Sequence, residues 1–160
     1  MIKRKVLIKV RSIKNSFRKE LTSTVGNIDV SQRKPSKHEM SMVKVVVEKF
    51  GGDIFFLQGK GDIGLKTPDA IWSSLKLEIK KATGKSSIDS QTRKGLQQIN
   101  GDGVILLDVS NNKKSVREIR NNAIHRVKRY LLSNPVGKVN IIIVKRKKVV
   151  DVLEIKKVEA

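Results

Sequence analysis

The sequence contains no cysteine and only two histidines, His38 and His125. Without cysteine there is no disulfide, no thiolate zinc site and no thiol nucleophile. Two histidines are also too few for a metal cage built from imidazole alone. These absences exclude several common kinds of reactive centre.

Aromatic residues and long apolar runs are scarce as well. Only six of the 160 residues are Phe, Trp or Tyr, which argues against a base-stacking platform of the single-strand-binding kind. No apolar run approaches the roughly 20 residues of a membrane span, and charges interrupt the segment 1–10 too early for a signal-peptide core. We therefore expect a soluble protein.

Positive charge is abundant. Lysine and arginine number 35 against 15 acids, which gives a formal net charge of +20. A charge of this size favours a polyanionic partner, and nucleic acid is the commonest one. A ribosomal-type or merely soluble basic protein is the alternative interpretation of the composition. The length fits one domain with a proper core.

The first 35 residues form a predicted basic extension, followed by a domain over residues 36–160. Val6, Ile8 and Val10 alternate with polar residues, which is typical of a short strand, and residues 22–35 have the composition of a linker. Two alternatives stay open for residues 1–35: docking on the core, or an arm that contacts the ligand.

Residues 36–160 alternate between helical and strand patterns. Ser36 and Glu39 have capping-box spacing, apolar residues then recur at helical intervals, and Gly51 and Gly52 end this helix. The remaining predicted elements are strands at 53–58, 69–73 and 75–81, a helix at 90–100, a strand at 104–109, a helix from 115 to about 132, and strands at 139–144 and 149–155. This order predicts an α/β fold with a central mixed β-sheet flanked by helices.

Acidic side chains meet a lysine between residues 69 and 80. Asp69 follows a proline at the start of one predicted strand, and Glu78 and Lys80 lie two apart on the next, so both point to one face. Two carboxylates and an ammonium suit a hard divalent cation and a water that attacks phosphate. The backbone carbonyl of Ile79 is a further candidate oxygen ligand. As alternatives, Asp69 is a turn acid and Glu78 a surface acid paired with a neighbouring lysine.

The helix with Glu39, the Pro68-Asp69 step, the Glu78-Ile79-Lys80 strand and the glutamine-bearing helix after it together resemble the PD-(D/E)XK nuclease superfamily. More narrowly, the stretch 67–107 is similar to the C-terminal tRNase toxin domain of CdiA-type contact-dependent growth inhibition proteins. The resemblance implies a restriction-endonuclease-like core over roughly residues 36–155.

The resemblance also implies site roles. Asp69 and Glu78 would bind a divalent metal ion, most simply Mg²⁺, with Mn²⁺ or Zn²⁺ as alternatives, and Lys80 would orient the attacking water. Glu39 would lie near the metal, although its capping-box position already gives it a structural role. A glutamine of the next helix would reach the site, with Gln98 the first choice and Gln97 the alternative.

The function that follows is hydrolysis of phosphodiester bonds by an endonuclease, with tRNA favoured as substrate. A DNA endonuclease of the same fold and a non-catalytic basic nucleic-acid-binding protein are the alternatives. A toxin would act in the bacterial cytoplasm, after delivery from another cell, and an acidic immunity protein would cover its site. Contacts with the nucleic-acid backbone are expected from the 115–132 helix and from a basic turn. These residues are Arg117, Arg120, Lys128, Arg129, Lys145, Arg146, Lys147 and Lys148.

Overall fold

A single mixed eight-stranded sheet runs through the molecule, in a computed structural model that describes residues 6–21, 26–58, 67–84 and 87–159. The elements in chain order are β1 (Val6–Ser12), a short 3-10 helix (Phe17–Glu20), β2 (Ile28–Asp29), α1 (Lys37–Phe50), β3 (Ile54–Phe56), β4 (Ala70–Trp72), β5 (Leu75–Lys81), α2 (Ser87–Ile99), β6 (Gly103–Asp108), α3 (Val116–Ser133), β7 (Lys138–Lys145) and β8 (Lys148–Glu159).

The strand order across the sheet is β1-β8-β7-β6-β5-β4-β3-β2. β5, β6 and β7 are parallel to one another and form the centre, whereas β3–β4–β5 and β7–β8–β1 are antiparallel. Helices cover both faces of the central strands, as parallel strands require. The predicted α/β class, with a mixed sheet flanked by helices, is confirmed.

Alternation along the central strands builds two cores. In β6, which is buried throughout, Val104 and Leu106 pack on the face covered by α1, while Ile105 and Leu107 pack on the face covered by α2 and α3. The continuous apolar run therefore serves both faces of the sheet at once. None of the helices in the described ranges is long and apolar enough to cross a membrane.

The helix boundaries follow local chemistry. Ser36 and Glu39 form both hydrogen bonds of the predicted capping box, and α1 ends at Gly51, whose φ of 79° suits a residue without a Cβ. α2 begins at Ser87, three residues before the predicted start at 90. The earlier start has a packing reason, because Ile88 is fully buried in the core beneath α2 and α3.

The described residues before 36 (6–21 and 26–35) belong to the same sheet and core as those after it. β1 pairs antiparallel with β8 at the sheet edge. Phe17 is fully buried, with its ring centroid 5.0 Å from that of Phe50 and 5.3 Å from that of Trp72. Of the two alternatives for this region, docking on the core is the arrangement in residues 6–21 and 26–35; residues 1–5 and 22–25 lie outside the described part.

Candidate active site and nucleic-acid interface

The hairpin of β4 and β5 opens where the predicted acidic residues lie. β4 pairs with β5 only from Leu75 to Leu77. Beyond that ladder, the backbone N–H of Ile79 donates to Oδ2 of Asp69 at 2.8 Å. Because the N–H and C=O of one strand residue point to the same side, the Ile79 carbonyl faces this opening as well. Asp69, Ile79 and the neighbouring Glu78 are thus brought together.

Glu78 and Lys80 share the face of the sheet that α2 covers. Their Cα partners on β6 are Ile105 and Leu107, which both belong to the core under α2 and α3. Glu78 is fully buried, whereas Lys80 is partly exposed. Asp69 lies one residue before the last β4–β5 pair and is therefore the cross-strand neighbour of Glu78. The three groups predicted to act together thus share one face.

Arg33 ties this opening to the start of α1. Its guanidinium forms a fork with Glu39, at 3.0 Å to Oε1 and 2.8 Å to Oε2. The same group donates from Nε to the carbonyl of Leu57 at 2.9 Å and from Nη2 to the carbonyl of Asp69 at 3.2 Å. It also lies 5.2 Å from the centroid of the Phe56 ring. A single side chain thus fixes the positions of α1, β3 and the entry to β4.

Three carboxylates act on this arginine. The hydrogen bond to Glu39 raises the pKa of Arg33 above its ordinary value; burial opposes this, and the negative charges of Glu39, Asp69 and Glu78 add to the rise. Burial raises the pKa of Glu39, but the hydrogen bonds from Arg33 and Ser36 outweigh it, so the net pKa is below the ordinary value. The site therefore gathers negative charge in a protein of high positive charge.

Arg33 is not among the predicted site residues. It falls in the stretch that was predicted to be a linker, and Glu39 lies six positions further along, in the first turn of α1. No helical or strand periodicity connects two such positions, so the sequence carries no local signal for the pair.

The donor set fits a hard divalent cation. Asp69, Glu78 and the carbonyl of Ile79 offer two carboxylates and a backbone oxygen, the ligands that Mg²⁺ and Mn²⁺ prefer when they keep several waters. Within the described ranges, no three or more His, Cys, Asp or Glu side chains are grouped to hold a metal. Glu39 has both oxygens engaged by Arg33, so it contributes by holding that arginine.

Two edges of α2 face different neighbours. Gln97 lies on the edge that faces α3, together with Arg93 and Asn100. Gln98, one residue further, is turned by about 100°. Its side-chain oxygen is buried and accepts no hydrogen bond from the described residues. Gln91, seven residues before Gln98, lies on the same edge of the helix.

Along the axis of α2, Gln91 lies beside Lys80 of β5, whereas Gln98 lies nearer to the start of that strand. Lys76 Nζ donates to the carbonyl of Asn100 at 3.4 Å, which fixes the end of α2 beside the start of β5. From Lys76 to Lys80 the strand advances by about 13 Å. The helix runs antiparallel to the strand, and the same distance along it, counted back from Asn100, is roughly nine residues, which leads to Gln91. Gly95 packs against Ile105, the β6 partner of Glu78, so Gln91 and Gln98 lie about one helical turn to either side of the acidic opening.

The cations predicted to contact nucleic acid divide between two surfaces. On α3, Arg117, Lys128 and Arg129 are exposed, whereas Arg120 forms an ion pair with Asp151 at 3.3 Å.

The basic turn predicted at Lys145–Lys148 is present between β7 and β8, on the side of α1. Its central residues Arg146 and Lys147 have φ values of 51° and 61°, as a two-residue hairpin turn requires. Lys147 lines a cleft of about 550 Å³ together with Lys34, Lys37 and Lys44.

A second polar network lies at the carboxyl ends of the parallel strands. His38 Nε2 is 2.8 Å from Oδ2 of Asp108, and the Ser110 hydroxyl donates to Oδ1 of Asp108 at 2.5 Å. The Ser110 oxygen also accepts from the backbone N–H of Arg146 at 2.9 Å. Burial raises the pKa of Asp108, but the hydrogen bonds from Ser110 and His38 outweigh it and lower the net value. The network joins α1, β6 and the basic turn, and no sequence pattern predicted it.

Compared with protein-family models, with curated proteins and with solved structures, the chain gives no match.

Proposed function

We propose that this protein is a metal-dependent nuclease that hydrolyses phosphodiester bonds at the opening between β4 and β5. The observation that carries the proposal is the position of Asp69, which accepts a hydrogen bond from the Ile79 N–H and is the cross-strand neighbour of Glu78, in a chain of net charge +20. A strongly basic protein attracts a polyphosphate, and a local excess of carboxylates is what a divalent cation needs in order to bind beside that polyphosphate.

Each residue of the opening has a role in this proposal. Asp69 and Glu78 hold the divalent ion, with the carbonyl of Ile79 as a third oxygen donor. The ion, when bound, polarises the scissile phosphate and lowers the pKa of a coordinated water. Lys80 orients the attacking water and offsets the negative charge that develops on the phosphate in the transition state.

Arg33 and Glu39 are positioning residues in this scheme. Arg33 holds the carbonyl of Asp69 at 3.2 Å and is itself held by the Glu39 carboxylate. The fork keeps Asp69 at the entry to β4, where its carboxylate accepts the hydrogen bond from Ile79. This precision matters because displacement of a catalytic group by about 1 Å can cost about a hundredfold in rate.

The preferred substrate and the biological role rest on the motif resemblance alone. That resemblance favours tRNA over DNA, a toxin domain of a bacterial competition system that acts in the cytoplasm of the target cell, and an acidic immunity protein as partner. A DNA endonuclease of the same fold remains the alternative within the enzyme class.

The burial of Glu78 favours a second candidate function. Its carboxylate has no exposed surface, which also suits a structural acid inside a basic protein that binds nucleic acid without cutting it. Such a protein would bind in a salt-sensitive way and would show no cleavage with any metal.

The deciding experiment is a cleavage panel. Purified protein is incubated with Mg²⁺, Mn²⁺ or Zn²⁺, or with EDTA, against tRNA, duplex DNA and single strands. We expect cleavage of at least one substrate with a metal and none with EDTA. Asp69→Asn and Glu78→Gln should each lower the rate by about a thousandfold or more, because each removes a charged ligand.

Glu48→Gln is the matched control, since Glu48 is an exposed carboxylate on α1. Circular dichroism checks that all three variants fold. Metal-dependent cleavage that survives in both site variants would refute the site, and salt-sensitive binding without any cleavage would favour the second candidate function.

A further inference from the structure

A polar cavity of about 360 Å³ lies between the second halves of α2 and α3. Arg93, Gln97 and Asn100 line it from α2, and Arg129, Tyr130 and Ser133 from α3. The volume falls within the range of about 300–1,000 Å³ that is usual for small-ligand sites. It lies on the edge of α2 that faces away from the acidic opening, so it is a separate site.

One arginine of this cavity is already neutralised. Arg126 forms a fork with Asp89, at 2.7 Å from Nε to Oδ1 and 2.5 Å from Nη2 to Oδ2. The hydrogen bond from Arg126 lowers the pKa of Asp89, against the opposing effect of burial, and the charge of Arg129 lowers it further. The fork therefore fixes α2 to α3 and gives the cavity a rigid wall.

The other two arginines leave the cavity positively charged. Within the described residues, neither Arg93 nor Arg129 forms an ion pair. No carboxylate lines the cavity. Two guanidinium groups that form no ion pair among the described residues suit a phosphate, which they bind through short charge-assisted hydrogen bonds.

The remaining lining suits more than an inorganic anion. Tyr130 is half-buried; burial raises the pKa of its hydroxyl, a hydrogen bond with the Gly101 backbone opposes this, and the charge of Asp102 adds to the rise, so the side chain stays neutral. Leu96 provides an apolar floor, and the amides of Gln97 and Asn100 offer both donors and acceptors. An aromatic face, amide groups and two arginines together match the base and the phosphate of a nucleotide.

We propose that the α2–α3 cavity binds one nucleotide of a nucleic-acid strand, with the phosphate on Arg93 and Arg129 and the base against Tyr130. The cavity is then an anchoring site beside the path of the strand, and it binds its nucleotide whether or not the acidic opening cleaves. This goes beyond backbone contacts from exposed cations, because a cavity with an aromatic wall holds a base as well as a phosphate.

Binding is measured by calorimetry in EDTA, so that metal-dependent cleavage does not enter the result. The probes are AMP, inorganic phosphate, adenosine, and five-nucleotide strands of ribo- and deoxyadenylate. AMP should bind at least about tenfold more tightly than phosphate or adenosine alone, since it uses both halves of the cavity. Arg93→Ala and Arg129→Ala should each weaken binding of AMP and of the ribo strand about tenfold.

Arg18→Ala is the matched control, because Arg18 is an exposed arginine of the 3-10 helix whose Phe17 packs into the core under α1, on the opposite face of the sheet. It should leave AMP binding unchanged. Tyr130→Leu should remove the advantage of AMP over phosphate and leave phosphate binding intact. Equal losses in Arg18→Ala and Arg93→Ala, AMP that binds no better than phosphate, or AMP that binds while neither strand does would each overturn the proposal.

Discussion

Two arginine–carboxylate forks in this molecule have opposite surroundings. Arg33 holds Glu39, with Asp69 and Glu78 also within its electrostatic reach, so carboxylates outnumber the arginine three to one. Arg126 holds Asp89, and the cavity beside it adds Arg93 and Arg129, with Asp102 within electrostatic reach of Tyr130, so three arginines meet two acids. The hydrogen-bond geometry of the forks is alike, but the charge left over has opposite sign.

The leftover charge decides what each region can bind. Around Arg33 the surplus is negative and buried, which favours a cation, whereas around Arg126 it is positive and partly exposed, which favours an anion. A salt bridge therefore says little about function by itself. The number of charges within reach of the salt bridge is the informative quantity, and the net charge of +20 does not reveal that three carboxylates act on Arg33.

The largest expected difference between the forks is in stability. Arg33→Ala leaves Glu39 partly buried without its arginine partner, removes the side-chain donor from the carbonyl of Leu57 and leaves the carbonyl of Asp69 with the N–H of Leu57 alone. The free energy of unfolding should therefore fall by about 3 kcal/mol. Arg126→Ala leaves Asp89, whose side chain is 45% exposed, and should cost less than about 1 kcal/mol. Urea unfolding of both variants at pH 7 measures the contrast.

Equal losses of stability in the two variants would contradict the assignment of different roles to the forks. The Arg33→Ala variant should also lower the cleavage rate, because Asp69 then keeps only its hydrogen bonds to the N–H groups of Leu57 and Ile79 and is held less precisely. Arg126→Ala should retain cleavage, since its fork joins α2 to α3 on the far edge of α2.

A smaller effect separates the two edges of α2. Gln91→Ala should lower the cleavage rate about tenfold without changing the fold, because Gln91 lies beside Lys80 on the edge of α2 that faces β5. Gln97→Ala should leave the rate within about twofold, since Gln97 faces α3. Single-turnover rates with saturating protein measure both. A larger loss in Gln98→Ala than in Gln91→Ala would show that Gln98, and not Gln91, is the glutamine that reaches the site.

Most of the fold could be predicted because its signals are local. The alternation in β1, the apolar runs of β6 and β7 and the capping residue Ser36 each depend on neighbours a few positions apart. The two-residue β2 could not be predicted, because Ile28 and Asp29 become a strand only by pairing with β3. Tertiary contacts created that element.

The positions of some residues of the candidate site can be predicted for the same reason. Asp69, Glu78 and Lys80 belong to a hairpin pattern within twelve residues, whereas Arg33 contacts the carbonyl of Asp69 across 36 residues and His38 contacts Asp108 across 70 residues. The choice among glutamines depended on helical phase, where one residue means a turn of about 100°. The sequence placed Gln97 and Gln98 side by side, but they lie on different edges of α2.

The smallest expected effect concerns acid stability around Arg33. The pKa of Glu39 in the folded protein lies below its unfolded value of 4.5, because the hydrogen bonds from Arg33 and Ser36 outweigh burial. A carboxyl with a lowered pKa stabilises the fold above its unfolded pKa, and that stabilisation is lost as pH falls through the folded value.

The difference in unfolding free energy between wild type and Glu39→Gln should therefore be constant from pH 7 to about pH 5 and should shrink below pH 4.5. Asp89 and Asp108, whose pKa values are also lowered, are present in both proteins and cancel in that difference. Urea unfolding at steps between pH 7 and pH 3 measures it, and a difference that does not change with pH would mean that Arg33 is held by Asp69 and Leu57 rather than by the Glu39 charge.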